Sequence, residues 1–304
     1  REALNEYMPW YVCFVAQPEQ ATREMIAAAA HTMTWLDDDP YEDAIWAVLT
    51  GFVAEDALRI INADPLVIRK GLSCYSGDGW LDWLEEGVSF QSASNKFVKN
   101  SSGVKQQLGT SNEERFSEFV EVLNQADCDI ITTAGHATER AFYFEEPDIS
   151  KNNITYSEKG DIHGIDTLGK VHRVTAKNPR IYYAPGNCLI GHIDGPSCVS
   201  LAWIHNGVNA FFGHLYVQAR YCYAWSIAEY FIALQGRYTF AEATYANWLA
   251  LRFSVNEQLE LHPCCEEGGK GTVLYGDPAW EARVKQTTAP AYTQDLNIEH
   301  LSDG

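Results

Sequence analysis

The sequence predicts an α/β fold: a mostly parallel sheet flanked by helices in an αβα sandwich, with an N-terminal α/β subdomain. Two patterns carry that reading. Strand-sized β-branched and aromatic runs alternate with helix-length segments. Two of those runs also end in turns that carry reactive side chains, which is where open α/β sheets place their sites. The composition agrees. A chain of 304 residues, 46% hydrophobic and 21% charged, suffices for a sizeable core, as two units or as one elaborate one.

Residues 10–16 (WYVCFVA) read as a buried strand, and 19–35 as a helix with an Ala-rich centre. Asp37-Asp38-Asp39-Pro40 interrupts the chain, with Pro40 in the first turn of an expected helix over 41–49 that Thr50-Gly51 stops. Residues 55–62 form a third, short helix, 72–79 (LSCYSGDG) a turn or loop, and 80–87 a helix. From 92 to 111 the composition turns polar, as in a linker. The expected division is therefore 1–105 for the N-terminal subdomain, 106–284 for the second, and 285–304 for a polar tail. Asn112-Glu113-Glu114 opens an amphipathic helix to 126. An apolar strand over 128–133 then runs into Ala134-Gly135-His136-Ala137. Residues 145–179 are polar and irregular. The next strand, 180–184, ends at Pro185-Gly186-Asn187-Cys188. A helix (196–206), a strand (207–216) and two long helices (221–234 and 240–258) follow. The last core strand, 272–275, precedes Gly276-Asp277-Pro278.

Charge narrows the partners. Twenty-two basic residues against 41 acidic ones leave −19. There is no Lys/Arg cluster, so nucleic acid and anionic membrane surfaces are excluded. A negative field suits basic peptides, and it also serves solubility alone. No apolar run approaches the ~20 residues of a membrane span. The eight cysteines show no C-x-x-C spacing, which removes zinc ribbons and thioredoxin-type motifs. The chain starts at Arg1 without a signal-peptide pattern and reads as a processed form or an excised segment.

The chemistry concentrates at His136 and Cys188. A thiol beside an imidazole gives up its proton and becomes a strong nucleophile. Gly135 and Gly186 let the chain turn sharply and let a substrate approach. His163, in Asp161-Ile162-His163-Gly164, is the rival histidine. His262-Pro263-Cys264-Cys265 makes a poor chelate, so no metal is assigned there. No phosphate-binding glycine loop occurs.

The spacing around this pair resembles the caspase-like cysteine peptidases: an apolar strand, Gly-His-small, then 52 residues on an apolar strand and x-Cys. Within that clan the chain is similar to the gingipain family. Asn187-Cys188-Leu189-Ile190-Gly191-His192 resembles its nucleophile segment. Ser200-Leu201-Ala202 with Asn206-Gly207-Val208-Asn209-Ala210-Phe211-Phe212-Gly213 resembles its next helix and strand. Leu274-Tyr275-Gly276-Asp277-Pro278 resembles its closing signature, and Asp39-Pro40-Tyr41-Glu42-Asp43 with Leu49-Thr50-Gly51 its N-terminal region. Two positions depart: the usual His-Gly is His136-Ala137, and the usual Ala-Cys is Asn187-Cys188.

The resemblance implies a caspase/gingipain-like fold and a cysteine endopeptidase acting on peptides or proteins through an acyl-enzyme, with a basic P1 preference. Cys188 is the nucleophile and His136 the proton carrier. Asp78 or Glu139 orients the imidazole, and the Ala137 and Cys188 N–H groups form the oxyanion hole. Gly135, Asn187 and His214 are expected at the substrate. No cofactor is required. Structural calcium is implied, and Asp37-Asp38-Asp39 offers carboxylates for it, although a solvated helix start reads the same residues without an ion. The resemblance also implies a secreted or cell-surface protein. The alternative is a catalytically silent member of the fold that serves as a binding or scaffold module.

Overall fold

Short helix α1 (Glu2–Tyr7) leads into β1 (Tyr11–Val15), α2 (Arg23–Met33) and β2 (Ile45–Leu49). These come from a computed structural model that describes residues 2–77, 79–91, 95–109, 115–144, 152–177, 179–217, 226–257 and 271–286. Thr22 caps α2 by accepting from the Met25 N–H at 3.2 Å. The helix expected over 41–49 is instead a loop and β2. Pro40 marks a turn, and the run Ile45-Trp46-Ala47-Val48-Leu49 is buried on both sides, as interior parallel strands are. Strand β1 corrects a second expectation. It lies at the sheet margin, pairs among the described residues with β2 alone, and leaves Trp10 82% and Val15 75% exposed.

Next come α3 (Ala54–Ile61), β3 (Leu66–Ile68), β4 (Lys70–Cys74) and β5 (Glu86–Phe90). The loop expected from Leu72 thus begins as a core strand, and a 3-10 turn at Gly79–Trp83 replaces most of the helix expected after it. The polar stretch read as a linker pairs as an antiparallel hairpin, β6 (Asn95–Lys99) with β7 (Lys105–Gly109). Position 105, the expected subdomain boundary, is the first residue of β7.

Amphipathic α4 (Arg115–Gln125) buries Phe116, Phe119, Val120 and Leu123. It leads to β8 (Ile130–Gly135). After β9 (Ala141–Tyr143), the segment read as irregular contributes β10 (Asn153–Tyr156), β11 (Ile162–Ile165) and β12 (Val171–Arg173) to a second, antiparallel sheet with β9. The chain continues through β13 (Ile181–Asn187), α5 (Val199–His205), β14 (Ala210–His214) and α6 (Ser226–Ala228), which passes into a π-helical turn at Glu229–Ala233. It closes with α7 (Phe240–Asn256), β15 (Thr272–Gly276) and β16 (Ala282–Val284), which pairs with β3.

The main sheet has ten strands in the order β1-β2-β15-β14-β13-β8-β4-β5-β6-β7. Pairing is parallel except at β14–β15, β5–β6 and β6–β7. Its two faces are covered differently. On one, Tyr182 packs against Trp203 of α5 and Phe211 of β14, with ring centroids 5.1 and 4.9 Å away. On the other, Tyr183 meets Phe240 of α7 at 5.9 Å, and Trp46 stacks on Trp248 at 4.9 Å. Burial of these large rings supplies much of the stabilisation, since each removes ~150–250 Å² from water. No helix among the described residues is long and apolar enough to cross a membrane.

Candidate active site

Strands β8 and β13 are parallel neighbours, with Ala134 opposite Gly186 and Gly135 opposite Asn187. The first residue beyond each strand is His136 and Cys188. Neighbouring strands lie about 4.8 Å apart, so the register alone brings the two candidates side by side at the carboxyl edge. Gly135 has φ +105°, a conformation that side chains resist, and this is where the chain leaves the sheet to present His136. His136 is exposed and Cys188 half-buried. Burial pushes the Cys13 and Cys198 thiols up to about 11 and Cys128 to about 12.

The two strand ends are tied from beneath. Asn187 Nδ2 donates to Gly135 O at 2.9 Å, and Asn187 Oδ1 accepts from the Thr133 hydroxyl at 2.7 Å. Thr133 Oγ1 in turn meets the Tyr182 hydroxyl at 3.2 Å, Tyr182 bonds Tyr156, and Trp203 Nε1 donates to Tyr156 at 2.9 Å. Asn187 is fully buried, so its side chain braces the site from inside rather than meeting substrate. His214 also corrects an expectation. Its ring is 1% exposed, and Nε2–H donates to Pro185 O at 2.9 Å. Burial lowers its pKa to about 4 and keeps it neutral.

Beyond His136 a tight turn is held by Tyr143 N–H to His136 O (3.0 Å) and Thr138 N–H to Ala141 O (2.8 Å). Neither bond uses the Ala137 N–H, as an oxyanion donor requires. Beyond Cys188, Leu189 takes φ +59°, and its N–H donates to Tyr216 O at 3.1 Å. Gly191 then lies directly on β14. A Cβ on Gly191 would come within 2.8 Å of the Gly213 carbonyl carbon, and one on Gly213 within 2.9 Å of Gly191 N. This contact fixes the height of the nucleophile loop over the sheet.

Glu139 faces His192 (3.2 Å to Nδ1) and Arg23 (3.9 Å). Arg23 also reaches His192 Nδ1 at 2.9 Å, donates to Leu215 O at 2.8 Å and covers the Tyr216 ring at 4.8 Å. These groups join the His136 and Cys188 loops to the start of α2. Sequence reasoning missed Arg23, which lies 165 positions before Cys188 and carries no local signal. The rival His163 sits in the second sheet, bonded to Thr155 Oγ1 at 3.0 Å. Asp78 and the 262–265 segment lie outside the described residues. Asp37, Asp39 and Asp43 bring carboxylate oxygens within 4.8 Å of one another. One oxygen from each falls short of the six to eight that a calcium ion takes. Each of the three also accepts a backbone N–H of its own loop, from Asp39, Tyr41 and Leu36.

A cavity of about 400 Å³ is lined by Thr132 of β8 and Tyr183 of β13, four and five residues before the pair, and by Ser76, Trp80, Trp83 and Glu229 among others. It sits over β4 and β8, whose onward connections run to opposite sides, to β5 and to β13. Such a switch point is where open sheets form their binding crevice.

The fold is caspase/gingipain-like. Two solved structures carry it. One is the Arg-specific cysteine proteinase gingipain R (RgpB): TM-score 0.53, 10% identity, covering 92% of this chain and 68% of that one. The other is the complex of Porphyromonas gingivalis RgpB pro- and mature domains: TM-score 0.52, 10% identity, 92% and 69%. At that identity the likeness is one of fold. No protein-family model and no curated protein matches the sequence.

Proposed function

We propose that this chain is a cysteine endopeptidase. The observation that carries the reading is the β8–β13 register, which sets His136 beside Cys188 at the open end of a caspase/gingipain-like sheet. In the proposed reaction the Cys188 sulfur attacks the scissile carbonyl carbon, and its proton passes to His136. The oxyanion is met by the N–H groups of Ala137 and Cys188. His136 then protonates the leaving amine, the C–N bond breaks, and water releases the acyl group by the reverse proton path. Asp78 remains our proposed partner for the imidazole, since Glu139 is engaged with His192 and Arg23.

The substrate preference belongs to the same proposal. Glu229 lines the cavity that Thr132 and Tyr183 share, together with Trp80 and Trp83. An acid with aromatic walls suits a lysine or arginine side chain, by charge and by cation–π contact. Secretion or cell-surface display is part of this proposal and is read by fractionating source cells.

The test is intact-mass labelling with peptidyl acyloxymethyl ketones carrying Arg, Lys, Asp, Asn or Leu at P1. We expect one rapid adduct with the basic probes, absent in Cys188→Ala and slowed in His136→Ala. No adduct, with Cys188 as slow toward iodoacetamide as the buried thiols, overturns the proposal in favour of a silent binding module.

A further inference from the structure

A second cavity, about 500 Å³, lies on the opposite face of the sheet from the Glu229 cavity. Phe52, Ile193, Pro196 and Leu201 give it apolar walls, and Glu19 and Asp194 add carboxylates. The face assignment rests on strand alternation. Tyr183 and Thr132 line the first cavity, whereas their neighbours Tyr182 and Thr133 point toward α5, which contributes Leu201 to the second.

This cavity is walled by the catalytic loops themselves. Ile193 follows Cys188 by five residues, a path of at most about 17 Å when extended. The His192 N–H to Leu189 O turn shortens it. The loop after His136 reaches the same wall: Arg140 bonds Asp194 at 2.7 Å, and Glu139 O accepts from Val199 N–H at 2.7 Å. The second cavity therefore lies on the α5 face, walled by the loop that carries Cys188 and tied to the loop that carries His136, while the Glu229 cavity lies on the other face.

Resting on the peptidase reading, we infer that the second cavity is a subsite for the leaving side of the substrate. It takes an apolar side chain three or four residues beyond the scissile bond, next to a lysine or arginine. An extended peptide advances about 3.4 Å per residue, so three or four residues span the path from Cys188 to Ile193. The exposed Glu19 and the net charge of −19 favour the basic neighbour.

The probe is the leaving-side peptide H-Gly-Ser-Gly-Leu-Lys-NH2, titrated by calorimetry into Cys188→Ala protein, with the Leu→Asp peptide as control. We expect the Leu peptide to bind at least about tenfold tighter, the scale of one apolar contact. That margin should collapse in Cys188→Ala carrying Phe52→Ala, and Glu19→Gln should erase the preference for Lys over Gln. Equal binding of the two peptides, or a margin that both variants leave intact, overturns the assignment. Internally quenched substrates with Leu moved from the second to the fifth leaving-side position separate this from the peptidase question. Cleavage with a maximum at the third or fourth position supports both. Cleavage indifferent to Leu overturns the subsite alone. Phe52-dependent binding without any cleavage supports the cavity as a peptide site while the peptidase reading falls.

Discussion

Asn187 and Gly135, the residues that immediately precede the candidate nucleophile and the candidate proton carrier, are joined by a 2.9 Å hydrogen bond between neighbouring strand ends. The position that departs from the gingipain-type pattern is therefore a brace. It is the near end of a buried chain of polar groups that starts at Trp203.

Asn187→Ala should cost about 1–3 kcal/mol, because it removes the buried acceptor of the Thr133 hydroxyl and the donor to the Gly135 carbonyl. The rate of Cys188 labelling should fall further than stability does. Urea unfolding and probe kinetics on the same variant check both, and unchanged labelling with lowered stability refutes the bracing role.

Gly213→Ala places a Cβ 2.8 Å from Ile190 and 2.9 Å from Gly191 N. Backbone cannot yield as a flexible side chain can, so the variant should lose about 1–3 kcal/mol. It should also lift the nucleophile loop. Slower Cys188 alkylation with near-native circular dichroism is the expected result.

His214 should make stability depend on pH. Its folded pKa of about 4 lies below the ordinary 6.5, so the unfolded chain binds the proton more readily. Its contribution is complete above 6.5 and is lost as pH falls toward 4, to a total of about 3 kcal/mol. Urea midpoints at pH 7 and 4.5 should differ more in wild type than in His214→Asn.

Glu229→Gln should lower kcat/KM for an Arg-P1 substrate about tenfold and leave a Leu-P1 substrate nearly untouched. Equal effects on both substrates would assign Glu229 to structure rather than to P1 recognition.

The sequence disclosed the pair but not what holds it. His136 and Cys188 stood out because an apolar run followed by Gly is a local signal, and β8 and β13 carry it in full. Strands β10 and β11 do alternate buried Ile154, Tyr156 and Ile162 with half-buried positions, but over only four residues each; β6, β7 and β12 are short and polar, and their stability comes from ladder partners rather than from an apolar face. No local pattern reports that. The stretch Ile45–Leu49 reads as a helix in the sequence because Pro40 signals a helix start, while the fully buried strand that follows has no alternation to reveal it. Thr133, Tyr182 and Arg23 became legible only once the register had brought distant segments together.

The open margin at β1 has a colloidal consequence. Among the described residues the outer edge of β1 has no ladder partner, and such an edge beside exposed Trp10 and Val15 is a template for strand addition between molecules. Mutual repulsion from a net charge of −19 holds such edges apart at neutral pH. That repulsion vanishes near the isoelectric point of 4.8, so solubility should reach its minimum there and self-association should begin from this margin. Trp10→Lys would move that threshold to higher protein concentration and leave β8 and β13, at the far side of β15 and β14, undisturbed.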